Sequence, residues 1–137
     1  MPTTTIYFEN TENSHPEIPR AVTVQGQYVL QNTSLDRFAK ITLLVEPQYR
    51  HPGCDFSWEV DEDTIPFEYF DSVLSAVKSA IREWSKGDSL RLAAIRVVGG
   101  AHHKLDSCPM TFRFATEQAM MRALIELDLV DDSAVAE

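Results

Sequence analysis

Three stretches of the chain carry the apolar spacing of strands. Residues 21–30 mix Val, Thr, Gln and Tyr in rough alternation, and residues 38–46 (FAKITLLVE) form a β-branched run halted by Pro47. The segment 55–60 (DFSWEV) alternates strictly, so Phe56, Trp58 and Val60 share one face while Ser57 and Glu59 take the other. The period then changes. Phe70, Val73, Leu74, Val77, Ile81 and Trp84 recur at three- and four-residue steps opposite Asp71, Lys78, Arg82 and Glu83, which predicts a helix with one buried face. Pro66 suits its first turn, where a missing N–H costs nothing, and Gly87 stands just past the last periodic residue as a stop.

Leu92 to Val98 (LAAIRVV) is apolar enough for a strand covered on at least one face, and it ends at Gly99-Gly100. A second helix is expected to open with Asp106 or Ser107 as N-cap and Pro109 in its first turn. Met110, Phe114, Met121, Leu124 and Ile125 form its apolar stripe, and it should end near Leu127. Trp58, Trp84, Phe114 and Met121 fall on the inner faces and read as core. The order βββαβα predicts an α+β fold, a two-layer α/β sandwich with two helices on one face of a four-stranded sheet. Residues 1–19, rich in Thr, Asn, Glu and Pro around the short cluster Ile6, Tyr7 and Phe8, read as a flexible N-terminal arm, with an added edge strand as the alternative. The folded domain is expected over 20–128, followed by a frayed acidic tail at 129–137.

Composition narrows the function. The 137 residues are 44% hydrophobic and 24% charged, an ordinary globular balance with room for one core and no second large domain. Twelve basic residues stand against 21 acidic ones, a formal charge of −9. A general electrostatic grip on DNA or RNA is thereby excluded, so any RNA contact has to be local. The five glycines fit neither G-x-x-x-x-G-K-[ST] nor G-x-G-x-x-G, so no nucleotide and no cofactor is expected. The longest apolar runs fall far short of the roughly 20 residues of a membrane span. Two cysteines, Cys54 and Cys108, show no C-x-x-C spacing, and the start of the chain carries no basic-then-apolar leader, so a cytoplasmic protein is expected.

Residues 95–115, IRVVGGAHHKLDSCPMTFRFA, resemble the signature of domain IV of elongation factor G, approximately VKVTLxDGSYHxVDSSEMAFKIA, with Gly100, His103, Asp106, Ser107, Met110 and Phe112 as matching anchors. Upstream, TIPFEYFDSVLSAVKSAI (64–81) is similar to the family's VIPKEYIPAVxKGIxEAM, and VTVQGQYVLQ and LLVEP are similar to its first two strands. The pieces keep their order over residues 20–127. The resemblance implies the ribosomal protein S5 domain 2-like fold with a left-handed βαβ crossover, against the usual hand. It further implies a non-enzymatic, stand-alone domain whose two tip loops enter the place of a transfer-RNA anticodon stem at the decoding site of the small ribosomal subunit. Carried over, the second tip loop is Gly100 to Ser107, with His103 at the family's tip histidine and Asp106 at the aspartate after it.

The residues around that loop define the candidate contacts. His103 can donate to phosphate or stack on a base, Lys104 adds local positive charge, and His102 stands beside them. The bland reading makes the two histidines ordinary exposed loop residues. Asp106 and Ser107 have a structural role as helix cap. The first tip loop departs from the family: TSLDRFAK (33–40) replaces GGRGQYGH, losing every glycine and keeping an aromatic at Phe38, with Arg37 and Lys40 as basic candidates. The segment VDEDTIP departs too. Its carboxylates Glu59, Asp61, Glu62 and Asp63 miss the D-x-[DN]-x-[DN]-G spacing of a calcium loop and read as a solvated acidic face at a helix N-terminus. His102, His103, Asp106 and Cys108 fit no standard zinc spacing, and nothing orients a base toward Cys108, so neither a metal site nor a Cys-His nucleophile is expected. The leading expectation is association with the ribosome or a translation-related protein. The alternative, suited by the acidic balance and the altered first loop, is a protein–protein interaction module that keeps the fold without ribosome binding.

Overall fold

The structure, a computed structural model, describes residues 2–8, 17–31 and 36–131. Strands β1 (Thr3–Ile6), β2 (Val22–Leu30), β3 (Arg37–Pro47) and β4 (Gly53–Trp58) lead through a 3-10 turn (Phe67–Tyr69) into helix α1 (Phe70–Trp84), then β5 (Leu92–Ala101) and helix α2 (Pro109–Glu126). The order of strands, helix, strand and helix expected after residue 20 is the one observed. The sheet has five strands and not four, in the order β1-β4-β5-β3-β2. The additional strand is Thr3–Ile6 of the N-terminal arm, antiparallel on β4 with Thr4 opposite Phe56. Its Thr5 hydroxyl donates to Asp55 at 3.0 Å, and the Trp58 N–H donates to the Pro2 carbonyl at 3.0 Å. These bonds, with half-buried Ile6 and Phe8 on the core, hold a segment whose composition reads as unstructured. Arm residues 9–16 and tail residues 132–137 lie outside the described residues.

Among the described residues only β4 and β5 run parallel, as a strand pair joined through a helix permits, and the other pairings are antiparallel. Alternation gives the sheet one apolar face, where Val22, Val24, Ile41, Leu43, Val45, Phe56, Trp58, Ile95 and Val97 are buried. Both helices cover it. Phe70 of α1 meets Phe56 and Trp58 at 5.6 Å between ring centroids, and Tyr69 stacks on Phe112 of α2 at 4.7 Å. The inward face of α1 is the one expected, with Val73, Val77 and Ile81 buried and Leu74 and Trp84 packed beside them. Its stop comes earlier than Gly87: Ser85 turns extended, its hydroxyl donating to the Ile81 carbonyl at 2.6 Å.

The α2 stripe is corrected. Met110, Phe114 and Ile125 are exposed, at 43%, 40% and 61%, and Met121 is half-buried. The buried face is Phe112, Ala115, Thr116, Ala119, Met120, Ala123 and Leu124. Gly26 of β2 decides this register. A Cβ placed there would stand 2.7 Å from the Ala119 nitrogen and closer still to the Ala115 carbonyl, so the helix backbone rests directly on the strand. Only alanines fit where the contact is tightest, so Ala115 and Ala119 face Gly26, Phe112, Met120 and Leu124 fill the core beside them, and Met110, Phe114 and Ile125 are turned outward. The helix also guards the free edge of β2, Gln118 accepting from the Gln27 N–H at 2.8 Å and Arg122 donating to the Gln25 carbonyl at 2.7 Å.

The domain's C-terminal boundary moves as well. Leu129 is buried and its N–H donates to the Leu124 carbonyl at 2.8 Å, while Val130 bridges to Ser85. The chain is therefore held in the fold through Asp131, whose N–H donates to the Trp84 carbonyl at 2.6 Å, and residues 129–131 do not belong to a frayed tail.

Candidate functional site

The loop 102–108 between β5 and α2 stands at the end of the sheet where β3 begins. Within it the His103 carbonyl accepts from the Asp106 N–H at 3.2 Å and the Ser107 N–H at 2.9 Å, closing a tight turn with Lys104 and Leu105 at its apex. Leu105 is the most exposed large apolar residue there, at 84%. Ser107 ties the turn to the sheet. Its hydroxyl accepts from the His103 N–H at 2.9 Å and donates to the Phe38 carbonyl at 2.8 Å, while the Phe38 N–H donates to the Asp106 carbonyl at 3.1 Å. From below, the hydroxyl of buried Tyr69 donates to the Ser107 carbonyl at 3.1 Å. Burial raises the Tyr69 phenol, with Glu68 and Cys108 adding to the shift, so it remains a neutral donor.

The two histidines differ. His102 Nδ1 lies 3.1 Å from the Thr64 carbonyl, which can only accept, so the ring donates there and is turned toward the base of the loop. His103 is open to solvent, with Nδ1 3.3 Å from Asp106 Oδ2 and 3.3 Å from the Leu105 nitrogen. A protonated Nδ1 pairs with the carboxylate, and a bare one accepts the Leu105 N–H. Either state holds the ring at the apex with Nε2 free to face a ligand.

Of the five contact candidates, His103 and Lys104 come together at the apex and the others diverge. Lys40 lies on the sheet face away from the helices, its ammonium 5.7 Å from the Phe38 ring centroid. Arg37 points to the opposite face of β3 by strand alternation and donates to the Asp36 carbonyl at 3.0 Å. Residues 32–35, including the start of the altered first loop, lie outside the described residues.

The helix cap is corrected. Asp106 and Ser107 belong to the turn, and Cys108 is the N-cap, extended at φ −154°. Thr111 completes the start, its hydroxyl accepting from the Cys108 N–H at 3.0 Å. Pro109 at the first helical position forces its predecessor out of the helical region, a signal that already singled out position 108. Sequence reasoning also missed Tyr69 and Phe38, whose support of the loop depends on distant backbone groups.

The acidic segment is used internally. Arg96 donates to both Glu59 oxygens at 2.7 Å and to Glu46 at 3.4 Å, holding the Glu59 carboxyl below its usual range against an opposing push from burial. Asp61 accepts from the Thr64 hydroxyl and N–H, both at 2.8 Å, which lowers its carboxyl, and Glu62 accepts from the Phe67 N–H at 3.1 Å at the entry to the helical segment. Among the described residues no three His, Cys, Asp or Glu gather to hold a metal ion. No helix of the described residues is long and apolar enough to cross a membrane.

Residues 16–126 match the family model described as elongation factor G, domain IV. Elongation factor G 2 of Desulfotalea psychrophila is 33% identical over 114 residues, which cover 82% of this chain and 16% of that protein. A crystal structure of a Thermus thermophilus protein superposes with a TM-score of 0.69 at 22% identity, over 80% of this chain and 16% of that one, and supports the fold. The chain thus spans about one-sixth of the length of these relatives.

Proposed function

Because this chain belongs to the elongation factor G domain IV family, we propose that it works in translation by associating with the ribosome, with the loop 102–108 as its contact and no catalysis of its own. The family match carries the reading, and the exposed pair His103 and Lys104 on a braced turn supports it. A phosphate or base edge meets two donors there without moving the rest of the domain. The −9 charge does not oppose this, since a few positive groups at a projecting tip suffice when the contact is small. The small-subunit RNA near the decoding site is the proposed partner surface, and the cytoplasm the proposed setting.

A protein partner is the second reading. Leu105, Met110 and Phe114 are exposed along the loop and the start of α2, and they favour an apolar protein surface over RNA. Co-sedimentation with ribosomes at low and moderate salt separates the two. Salt-sensitive binding lost in the pair His103→Ala and Lys104→Ala is the expected result. Absence of co-sedimentation at either salt overturns it in favour of the protein partner.

A further inference from the structure

Helix α2 is apolar on two faces. Its inner face packs on the sheet and on α1, while Met110, Phe114 and Ile125 are exposed and Met121 half-buried along the opposite side. At 3.6 residues per turn these four lie within an arc of roughly 60° and along about 22 Å of the helix. A helix with one covered face ordinarily turns polar residues to water, and one apolar on both sides is the kind that is covered on both. The outward stripe is also held in place: the Phe114 ring rests against Tyr28 of β2, 5.1 Å between centroids.

The spacing of the stripe points to its cover. Met110 and Ile125 have their midpoint between Glu117 and Gln118, and Phe114 and Met121 have the same midpoint. A two-fold axis at that point lays a second α2 antiparallel on the first, with Met110 level with the second copy's Ile125 and Phe114 level with its Met121. The members of each level pair lean to opposite sides of the stripe's midline, so they pass beside each other as interlocking side chains of packed helices do.

Charge favours the same occupant. The chain carries −9, yet α2 itself holds two arginines and two glutamates, so two copies repel each other least where their α2 helices meet. These groups are engaged within the chain: Arg113 with Glu117 and Arg20 with Glu126, each at 3.4 Å, and Arg122 on the Gln25 carbonyl at 2.7 Å. No free charge on the stripe attracts RNA or a strongly charged protein. None is stranded when a like surface covers it, and Glu117, nearest its own counterpart across the axis, is paired in each copy by Arg113.

We infer that the outward face of α2 is a self-association surface, on which a second copy of this chain packs its own α2 antiparallel about a two-fold axis between Glu117 and Gln118. This gives Met110 and Phe114 a partner without using the loop 102–108, so the inference is independent of the proposed ribosome contact.

Sedimentation equilibrium of the whole chain should show a reversible shift from one-chain to two-chain mass as concentration rises. Phe114→Glu and Met121→Lys should each weaken association at least tenfold. So should Ile125→Glu, whose 61% exposure makes it the least able to disturb the fold. Mixing tests the register. Combining the Phe114→Glu chain with the Met121→Lys chain sets the introduced carboxylate level with the introduced ammonium and leaves the other level pair native. That mixture should associate at least tenfold more tightly than either variant alone, and His103→Ala with Lys104→Ala should leave association unchanged. A one-chain mass at every concentration overturns the inference, as does association indifferent to the stripe substitutions in variants with unchanged circular dichroism. A mixture no tighter than its components overturns the antiparallel two-fold pairing.

Discussion

Ser107 and Phe38, 69 residues apart, are joined where the loop after β5 meets the first turn of β3: the Ser107 hydroxyl donates to the Phe38 carbonyl at 2.8 Å. The same hydroxyl accepts from the His103 N–H, so one side chain closes the loop on itself and fastens it to the sheet. The exposure of His103 and Lys104 is therefore backed by a fixed base. Ser107→Ala should cost about 1–2 kcal/mol, the usual penalty for stranding partly buried polar groups. Amide exchange of residues 103–107 should accelerate more than that of α2. Unchanged urea stability together with unchanged exchange would remove Ser107 as the brace.

Gly26→Ala tests the contact between β2 and α2. The added methyl would meet the Ala115 carbonyl and stand 2.9 Å from the Ala119 Cβ, both on a rigid helix. The loss should reach the upper end of the ~1–3 kcal/mol typical of overpacking, seen as a lowered melting temperature. A variant as stable as the parent shows that α2 can ride away from the sheet without cost.

The Glu59–Arg96 pair predicts an acid-side dependence. Hydrogen bonding from Arg96 holds the Glu59 carboxyl below its ordinary value of 4.5, partly offset by burial and reinforced by the Ser57 hydroxyl. As pH falls, the unfolded chain takes up this proton first, so the folded state loses relative stability. The contribution is full above the unfolded value and disappears as pH drops through the lower folded value. Urea midpoints of Glu59→Gln should therefore decline less steeply than the parent's below about pH 4.5. Parallel acid limbs for the two proteins would dissociate Glu59 from this titration.

The two cysteines should react differently. Cys54 is fully buried, and burial, with nearby Asp55, raises its thiol far above the ordinary range, whereas Cys108 is half-buried at the cap of α2. A disulfide reagent at pH 8 should modify Cys108 in the native protein and Cys54 only after unfolding, because the thiolate is the reacting form. Two equivalents consumed at one rate in the native state contradict this placement.

The inner face of α1 was legible because its large apolar residues fall on one side only, and β3, β4 and β5 were legible from β-branched runs and alternation. The signature around His103 to Phe112 marked the family and the loop. For α2 the same reasoning placed Leu124 correctly and otherwise failed, since Met110, Phe114 and Ile125 compete with Phe112 and Met120 for the inner face. Apolarity alone ranks the two sets equally, and the close approach permitted by Gly26 selects the one that includes alanines.

By itself, then, the sequence determined the elements from β2 onward, their order and the family, all of which rest on local spacing and short motifs. Tertiary structure decided what distant segments do for each other. It set Thr3–Ile6 as a fifth strand on β4, Leu129 in the core, and Phe38 and Tyr69 as supports of the loop. It also turned His102 inward and left His103 at the apex. These outcomes depend on backbone hydrogen bonds and packing distances between residues up to 69 positions apart, which no local pattern records.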